Sequence, residues 1–411
     1  MDVVYPCCGG LDAHQRTVVA CVFTQAGPRV TKVVQTFGAM TADLEALRAW
    51  LVAAGCTHVA MESTGGYWKP VWNVLEGAVQ ILLVNAQHIK AVPGRKTDVK
   101  DCEWLASLLR HGLLRGSDIP EAAIRELRDL TRHRTTLVKT QQAVGNRIQK
   151  VLEDANIKLA AVASKTLGKS GLAMVEALIA GVTDAEALAE LACGRLKAKH
   201  AALREAMNGR VTARHRFLLR GLLGEFRYLE QAIARVSTQI AEHRRPYEAA
   251  VQRVDEIPGV DERTAEHLLA ERGVDLQAFP SDRHLASWAG MCPGHNESAG
   301  KRKSGKTRKG SPWLRRTLTQ AAWVASPTEH TYLKAQYHCL AARRGKKRAI
   351  VAVGHSILVM AYHILKDGRA YHELGEGFLD RQHATRLTTS LVRKLESLGH
   401  KVTLEPCPTA A

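Results

Sequence analysis

Between Val3 and Phe37 apolar and polar residues alternate and β-branched side chains are frequent, the period of strands with one buried face. The pattern predicts a first strand from Cys7 to His14, a second from Thr17 to Thr24 and a third from Val30 to Thr36, the last two joined by a turn at Ala26-Gly27-Pro28. A helical period follows from Ala42 to Ala54, with Thr41 as its expected cap. An apolar strand at His58 to Met61, a helix after Gly65-Gly66 and a strand at Val79 to Val84 complete this part.

That order, a three-stranded meander and then alternating helices and strands, is the order of an RNase H-like α/β domain. Beyond it the text turns helical. One long helix is predicted from Glu121 to about Leu159 and a second from about Ala213 to His243, where Leu222, Phe226, Leu229, Ile233, Val236 and Ile240 recur in alternating steps of four and three. Such a seam suits an antiparallel coiled coil, pairing with another subunit, or ordinary packing within one chain. Residues 160–212 are Ala-rich and helical, with no legible chemistry. At Ile257-Pro258-Gly259-Val260 a new segment begins, and with the helix Glu262 to Glu271 it is similar to a helix-hairpin-helix, whose amides face phosphate, or to a plain helix-turn-helix. Helices are predicted from Pro312 to about Ala325, capped by Ser311, and from about Arg348 to Leu365. The last forty residues read as a surface helix and a short strand, Lys401 to Leu404. The expected architecture is therefore α/β plus α: an RNase H-like (RuvC-like) domain at 1–115, a helical coiled-coil region at 116–250, an α-helical C-terminal domain at 251–375 and a tail helix at 376–411.

Composition sharpens this. The chain has 411 residues, 45% hydrophobic and 5% aromatic, and its net charge of +18 favours a polyanionic partner, nucleic acid by default. The charge is uneven: residues 1–110 hold ten basic and nine acidic side chains, residues 295–320 eight basic and one acidic. Nine scattered cysteines without C-x-x-C spacing argue for free thiols and a reducing compartment. No apolar run approaches the roughly 18 residues of a membrane span, so a soluble, cytoplasmic, nucleoid-associated protein is expected.

Four acids stand where chemistry is expected. Asp12 lies within the first strand among apolar residues, and Glu62 ends the fourth. Asp98 and Asp101, at i and i+3 in Lys-Thr-Asp-Val-Lys-Asp, share one face of a helix. Carboxylates so grouped repel one another without a cation, and hard oxygen ligands suit Mg²⁺ or Mn²⁺ in phosphoryl transfer. Taken singly, each acid is equally consistent with a turn or helix cap.

With Gly-Leu-Asp-Ala-His at 10–14, Met-Glu-Ser-Thr-Gly-Gly at 61–66, Lys-Thr-Asp-x-x-Asp at 96–101 and the basic run at 296–310, the chain resembles the DEDD transposases of bacterial insertion sequences, family 110 with its 1111-like subgroup, and the related Piv-type DNA invertases. Ala13 and Gln15 depart from the commoner Val and Lys, and neither is an expected metal ligand. The resemblance implies DNA cleavage and rejoining, with Asp12, Glu62, Asp98 and Asp101 holding metal and Ser298 as a nucleophile that forms a transient phosphoserine link. It implies double-stranded DNA as substrate, a noncoding guide RNA, and dimers that join into tetramers. Ser298 stands just before six basic residues in nine positions, and Ser304 is its rival. Lys301, Arg302, Lys303, Lys306, Arg308 and Lys309, with Arg315 and Arg316 of the next helix, are the candidate phosphate contacts. Two other readings stay open: a metal-dependent junction-resolving nuclease without a covalent step, and a non-enzymatic nucleic-acid-binding protein.

Overall fold

In the computed structural model, which describes residues 2–63, 65–85, 101–294, 296–382 and 384–404, the alternating N-terminal segment forms a five-stranded sheet. Strands β1 (Cys7–Ala13), β2 (Thr17–Ala26) and β3 (Arg29–Gly38) are antiparallel, and β4 (His58–Glu62) and β5 (Gln80–Val84) extend the sheet in parallel on the far side of β1. The order is β3-β2-β1-β4-β5. Strands β2 and β3 run longer than the alternation alone predicts, because Gly27, at φ 61°, and Pro28 make a two-residue turn that keeps the hairpin paired to its tip.

Strand periodicity sorts the side chains onto two faces. Leu11, Val59, Met61 and Leu83 face helices α1 (Thr41–Ala53) and α2 (Trp68–Leu75), packing with Leu47, Leu51 and Leu75. Cys8, Ala60 and Val84 face helix α3 (Asp101–Arg110), packing with Leu105, Leu108 and Leu109. Thr41 is not the cap of α1: the Leu44 amide already bonds the Met40 carbonyl at 3.0 Å, so the helix starts one residue earlier and Met40 takes the cap position with no side-chain bond.

The chain divides into two compact units, Met1–Ile119 and Pro120–Ala411, and the second is almost entirely helical. Helices α4 (Ala122–Asp154) and α5 (Ala213–Arg244) run antiparallel: Arg214 bonds Asp154 at 2.6 Å at one end, and Leu127 packs with Ile240 at the other. The heptad seam is used within the chain, with Leu229 and Ile240 buried and Leu222 and Phe226 packed against the same core. The Ala-rich residues 160–212 break into short helices that cap this pair, Met174, Leu178, Leu188 and Leu203 meeting Val144, Ile148 and Leu219.

The second core joins α6 (Glu248–Asp255), α7 (Glu262–Arg272), α8 (Asp282–Trp288), α9 (Pro312–Ala325), α10 (Tyr332–Arg344) and α11 (Lys346–Asp367). Gly259, at φ 82°, turns the chain into α7 with its Cα against α9; a Cβ there would lie 2.5 Å from the Ala321 carbonyl oxygen. Helix α11, contrary to the reading of the apolar runs, is long and apolar enough to cross a membrane, with a mean hydropathy of 1.6 in its most apolar window. Half of that window is buried, and Ala349, Ile350, Val353, Ile357 and Ala361 supply the middle of this core. The tail forms a helix at Ala384–Ser397, but 401–404 is irregular, since no strand pairs with it among the described residues.

Buried charge ties α4 to α7. Arg134 and Glu266, 4% and 6% exposed, meet at 2.7 Å, and Arg244 also reaches Glu266 at 2.9 Å. Removing one partner strands a buried charge, so Glu266→Ala is expected to cost about 3–5 kcal/mol in urea unfolding. The double change Arg134→Met with Glu266→Leu is expected to recover most of that loss, and a mild loss in the single variant would mean that the pair is well hydrated.

Candidate active site and nucleic-acid interface

Helix α3 lies directly on strand β1 because Gly10 leaves room for it. A Cβ at Gly10 would stand 2.1 Å from the Cys102 carbonyl oxygen and 2.6 Å from the Ala106 nitrogen. The contact brings the first residue of α3, Asp101, onto the sheet face that carries Asp12. Leu11 pairs with Met61 across the parallel strands, so the next residues, Asp12 and Glu62, stand level on neighbouring strands and share that face. Three of the four candidate acids thus come together. Asp98 lies outside the described residues.

The electrostatics fit this grouping. Burial is the largest cause that raises the Asp12 carboxyl above its ordinary value, and the nearby Asp101 and Glu62 push it further up. His14 opposes them, its Nε2 lying 3.2 Å from Asp12 Oδ2. The donor set is all carboxylate oxygen, which suits a hard divalent cation, and its mutual repulsion is what such a cation relieves. Among the described residues no group of three or more His, Cys, Asp or Glu side chains stands at metal-holding spacing.

The basic segment is a β-ribbon, which the sequence reading missed. Strands β6 (Asn296–Ser298) and β7 (Lys301–Ser304) pair antiparallel about the two-residue turn Ala299-Gly300, both with positive φ, 50° and 73°. Ser298 is the last residue of β6, at the ribbon tip, and Ser304 lies at the far end of β7, paired with Asn296. The available signal was the Ala-Gly pair between two short polar runs; without apolar residues to mark a buried face, alternation carries no information.

Two glycines close the base of the ribbon. A Cβ on Gly310 would lie 2.4 Å from the Ala289 carbonyl, and one on Gly290, at φ 68°, would lie 2.8 Å from the Arg308 oxygen. Arg315 clamps the same place, donating to the Gly290 carbonyl at 2.6 Å and to that of Arg308. Lys301, Lys306, Arg308, Lys309 and Arg316 are exposed, and Arg302 and Lys303 lie along β7. The ribbon therefore displays cations on a backbone pinned at one end, a form suited to a phosphate track. The predicted helix-hairpin-helix turn has a different use for its glycine, which is packed against α9.

A pH dependence follows from Asp12. Its raised value means that the folded chain holds this proton more tightly than the unfolded one, so the group favours folding at low pH and that contribution is lost as pH rises through the raised value. Asp12→Asn is expected to raise the melting temperature of metal-free protein by about 2–4 °C near neutral pH, with little change at acid pH, in scanning calorimetry. A lower melting temperature near neutral pH would mean that the His14 contact outweighs burial.

Comparison with known proteins finds matches over both stretches of sequence. A family model described as "Transposase" matches residues 9–157, which hold the acids, and one described as "Transposase IS116/IS110/IS902 family" matches residues 251–338, which hold the ribbon. A Pseudomonas aeruginosa protein named "Probable family 20 transposase" is 26% identical over 268 residues, 64% of this chain and 70% of that one. The "Transposase for insertion sequence element IS1111A" of Coxiella burnetii is 25% identical over 328 residues, 77% and 79% of the two chains. The "Pilin gene-inverting protein" of Moraxella bovis is 30% identical over 121 residues, 28% of this chain and 36% of that one. With two transposase family models matched on separate stretches and relatives that span most of both chains, the chain belongs to the IS116/IS110/IS902 family of transposases.

Proposed function

We propose that this transposase cuts and rejoins DNA strands through a carboxylate site on an RNase H-like (RuvC-like) sheet and a serine on the basic ribbon. The observation that carries the reading is the grouping of Asp12, Glu62 and Asp101 on one sheet face. The strand order β3-β2-β1-β4-β5, antiparallel and then parallel, supports the fold assignment.

Asp12, Glu62, Asp98 and Asp101 would hold Mg²⁺ or Mn²⁺, which when bound supplies Lewis-acid stabilisation of phosphate charge. Ser298 Oγ attacks phosphorus and gives up its proton, a serine-phosphate bond forms, and the bond from phosphorus to a sugar oxygen breaks, that oxygen leaving as a hydroxyl once protonated. Lys301, Lys306, Arg308 and Lys309, with Arg302 and Lys303, hold the phosphates of the strand being cut. The net charge of +18 supports a further polyanion, which we take to be a noncoding guide RNA from the same element. Association of copies finds support on α5, where Phe217 and Tyr228, 74% and 63% exposed, stand on one face with Gly221 and Gly224 between them.

The test is to incubate the protein with element-end DNA, Mg²⁺ and flanking transcript, and to seek a DNA-linked protein band on a denaturing gel. The band is expected to vanish in Ser298→Ala and persist in Ser304→Ala, with strand transfer lowered about a hundredfold or more in Asp12→Asn and Glu62→Gln. Cutting without a band would instead favour the hydrolytic nuclease, and full function in the acid variants a non-enzymatic binder. Phe217→Glu with Tyr228→Glu is expected to lower the mass seen by light scattering to that of one chain, and an unchanged oligomer would place the contact elsewhere.

A further inference from the structure

A second cationic feature lies in the helical unit, outside the ribbon. Helices α4, α7 and α9 enclose a cleft of about 440 Å³, lined among others by Lys139, Arg263, Arg316, Trp313, Gln142 and Gln320. Its charges are not spent on one another. Arg134, also in the lining, is committed to Glu266. Lys139, Arg263 and Arg316 make no ion pair with a carboxylate among the described residues, and all three are exposed. The lining carboxylate, Asp261, is occupied in capping α7, where it accepts from the Thr264 amide at 2.8 Å. Burial, and then the neighbouring Arg134, push His267 down to about 4, so it adds a neutral imidazole.

Trp313 is the cleft's aromatic surface, and it is half-buried and held in place. The Arg132 guanidinium lies 5.6 Å from its ring centre and is itself fixed by two 2.7 Å bonds to the buried Glu271. The Arg316 guanidinium lies 5.7 Å from the same ring, on an exposed side chain. Lys139, Arg263 and Trp313 belong neither to the carboxylate site nor to the ribbon, whereas Arg316 is also a candidate phosphate contact beside the ribbon.

We propose that this cleft binds one unpaired nucleotide of a nucleic-acid strand, with the phosphodiester on Lys139, Arg263 and Arg316 and the base against Trp313. Exposed cations beside a half-buried aromatic ring suit a nucleotide whose backbone continues along the surface, because the phosphates can stay in solvent while the base lies against the ring. The volume falls within the roughly 300–1,000 Å³ that accommodates single small ligands, too small for a duplex. The amides of Gln142 and Gln320, both exposed in the lining, offer donors and acceptors to a base edge and not to phosphate alone. This rests on the reading of the protein as a nucleic-acid enzyme, and it adds a single-strand site distinct from the ribbon.

The experiment uses the full chain and fluorescence anisotropy with labelled single-stranded DNA, single-stranded RNA and the corresponding duplex, each about 12 nucleotides long, within known single-strand site sizes. The double change Lys139→Ala with Arg263→Ala is expected to weaken both single strands about tenfold and to reduce the salt slope by about 1, while duplex affinity stays within about twofold. Trp313→Ala is expected to weaken single strands about tenfold, Trp313→Phe to retain them, and an abasic strand to be insensitive to either. Should Trp313→Ala fold poorly, Lys139→Glu, at an exposed position outside the ribbon, decides the same point by the same single-strand loss. Single-strand binding within about twofold of wild type in the double variant, or equal losses for duplex and single strands, would overturn the proposal. Loss of strand transfer in Asp12→Asn is measured alongside: if it persists while the cleft variants bind normally, the cleft assignment fails and the enzyme reading stands.

Discussion

Gly10 has no side chain, and the backbone of α3 fills the place where one would stand. The carboxylate site depends on that contact. A side chain there would lift the helix off β1 and carry Asp101 away from the face shared by Asp12 and Glu62. Close approach also removes water from around Asp12, which is why burial leads the causes that raise its carboxyl. Ionising Asp12 is therefore costly, because burial and the neighbouring Asp101 and Glu62 all oppose its charge.

The helical unit solves a different problem, that of projecting a strongly basic segment without an apolar face to anchor it. Gly290 and Gly310 bring the two ends of the excursion into backbone contact, and Arg315 fastens them. Lys301, Lys306, Arg308 and Lys309 are then left exposed. Behind it, Ser311 caps α9 through the Leu314 amide and also donates to Glu271 at 2.9 Å, so the helix that follows the ribbon is tied to the same buried carboxylate that holds Arg132. The family match to two separate stretches follows this division, one on the acids and one on the ribbon.

Much of the secondary structure was legible. The alternation through Val18, Ala20 and Val22, and the seam through Leu229 and Ile240, are written in the order of residues because burial on one face imposes a period that solvent cannot. Misreadings fell where no period exists. Thr41 has the chemistry of a cap, yet the helix began at the carbonyl before it. Residues 401–404 look like a strand and find no partner among the described residues. The two strands of the ribbon, 296–298 and 301–304, carry only polar side chains, so their pairing leaves no hydrophobic trace.

The sequence by itself determined the sheet-forming period, the helical body, the surplus of positive charge and the four acids and two serines that chemistry would draw on. Those properties are local or additive, and a linear text carries them. Only the tertiary structure decided that Gly10 and Gly259 are sites of backbone contact, that Arg315 is committed to carbonyls while Arg316 lies over Trp313, and that Lys139, Arg263 and Trp313 meet around one cleft. Each of those depends on which atoms from distant segments compete for the same few ångströms, and the order of residues does not carry that information.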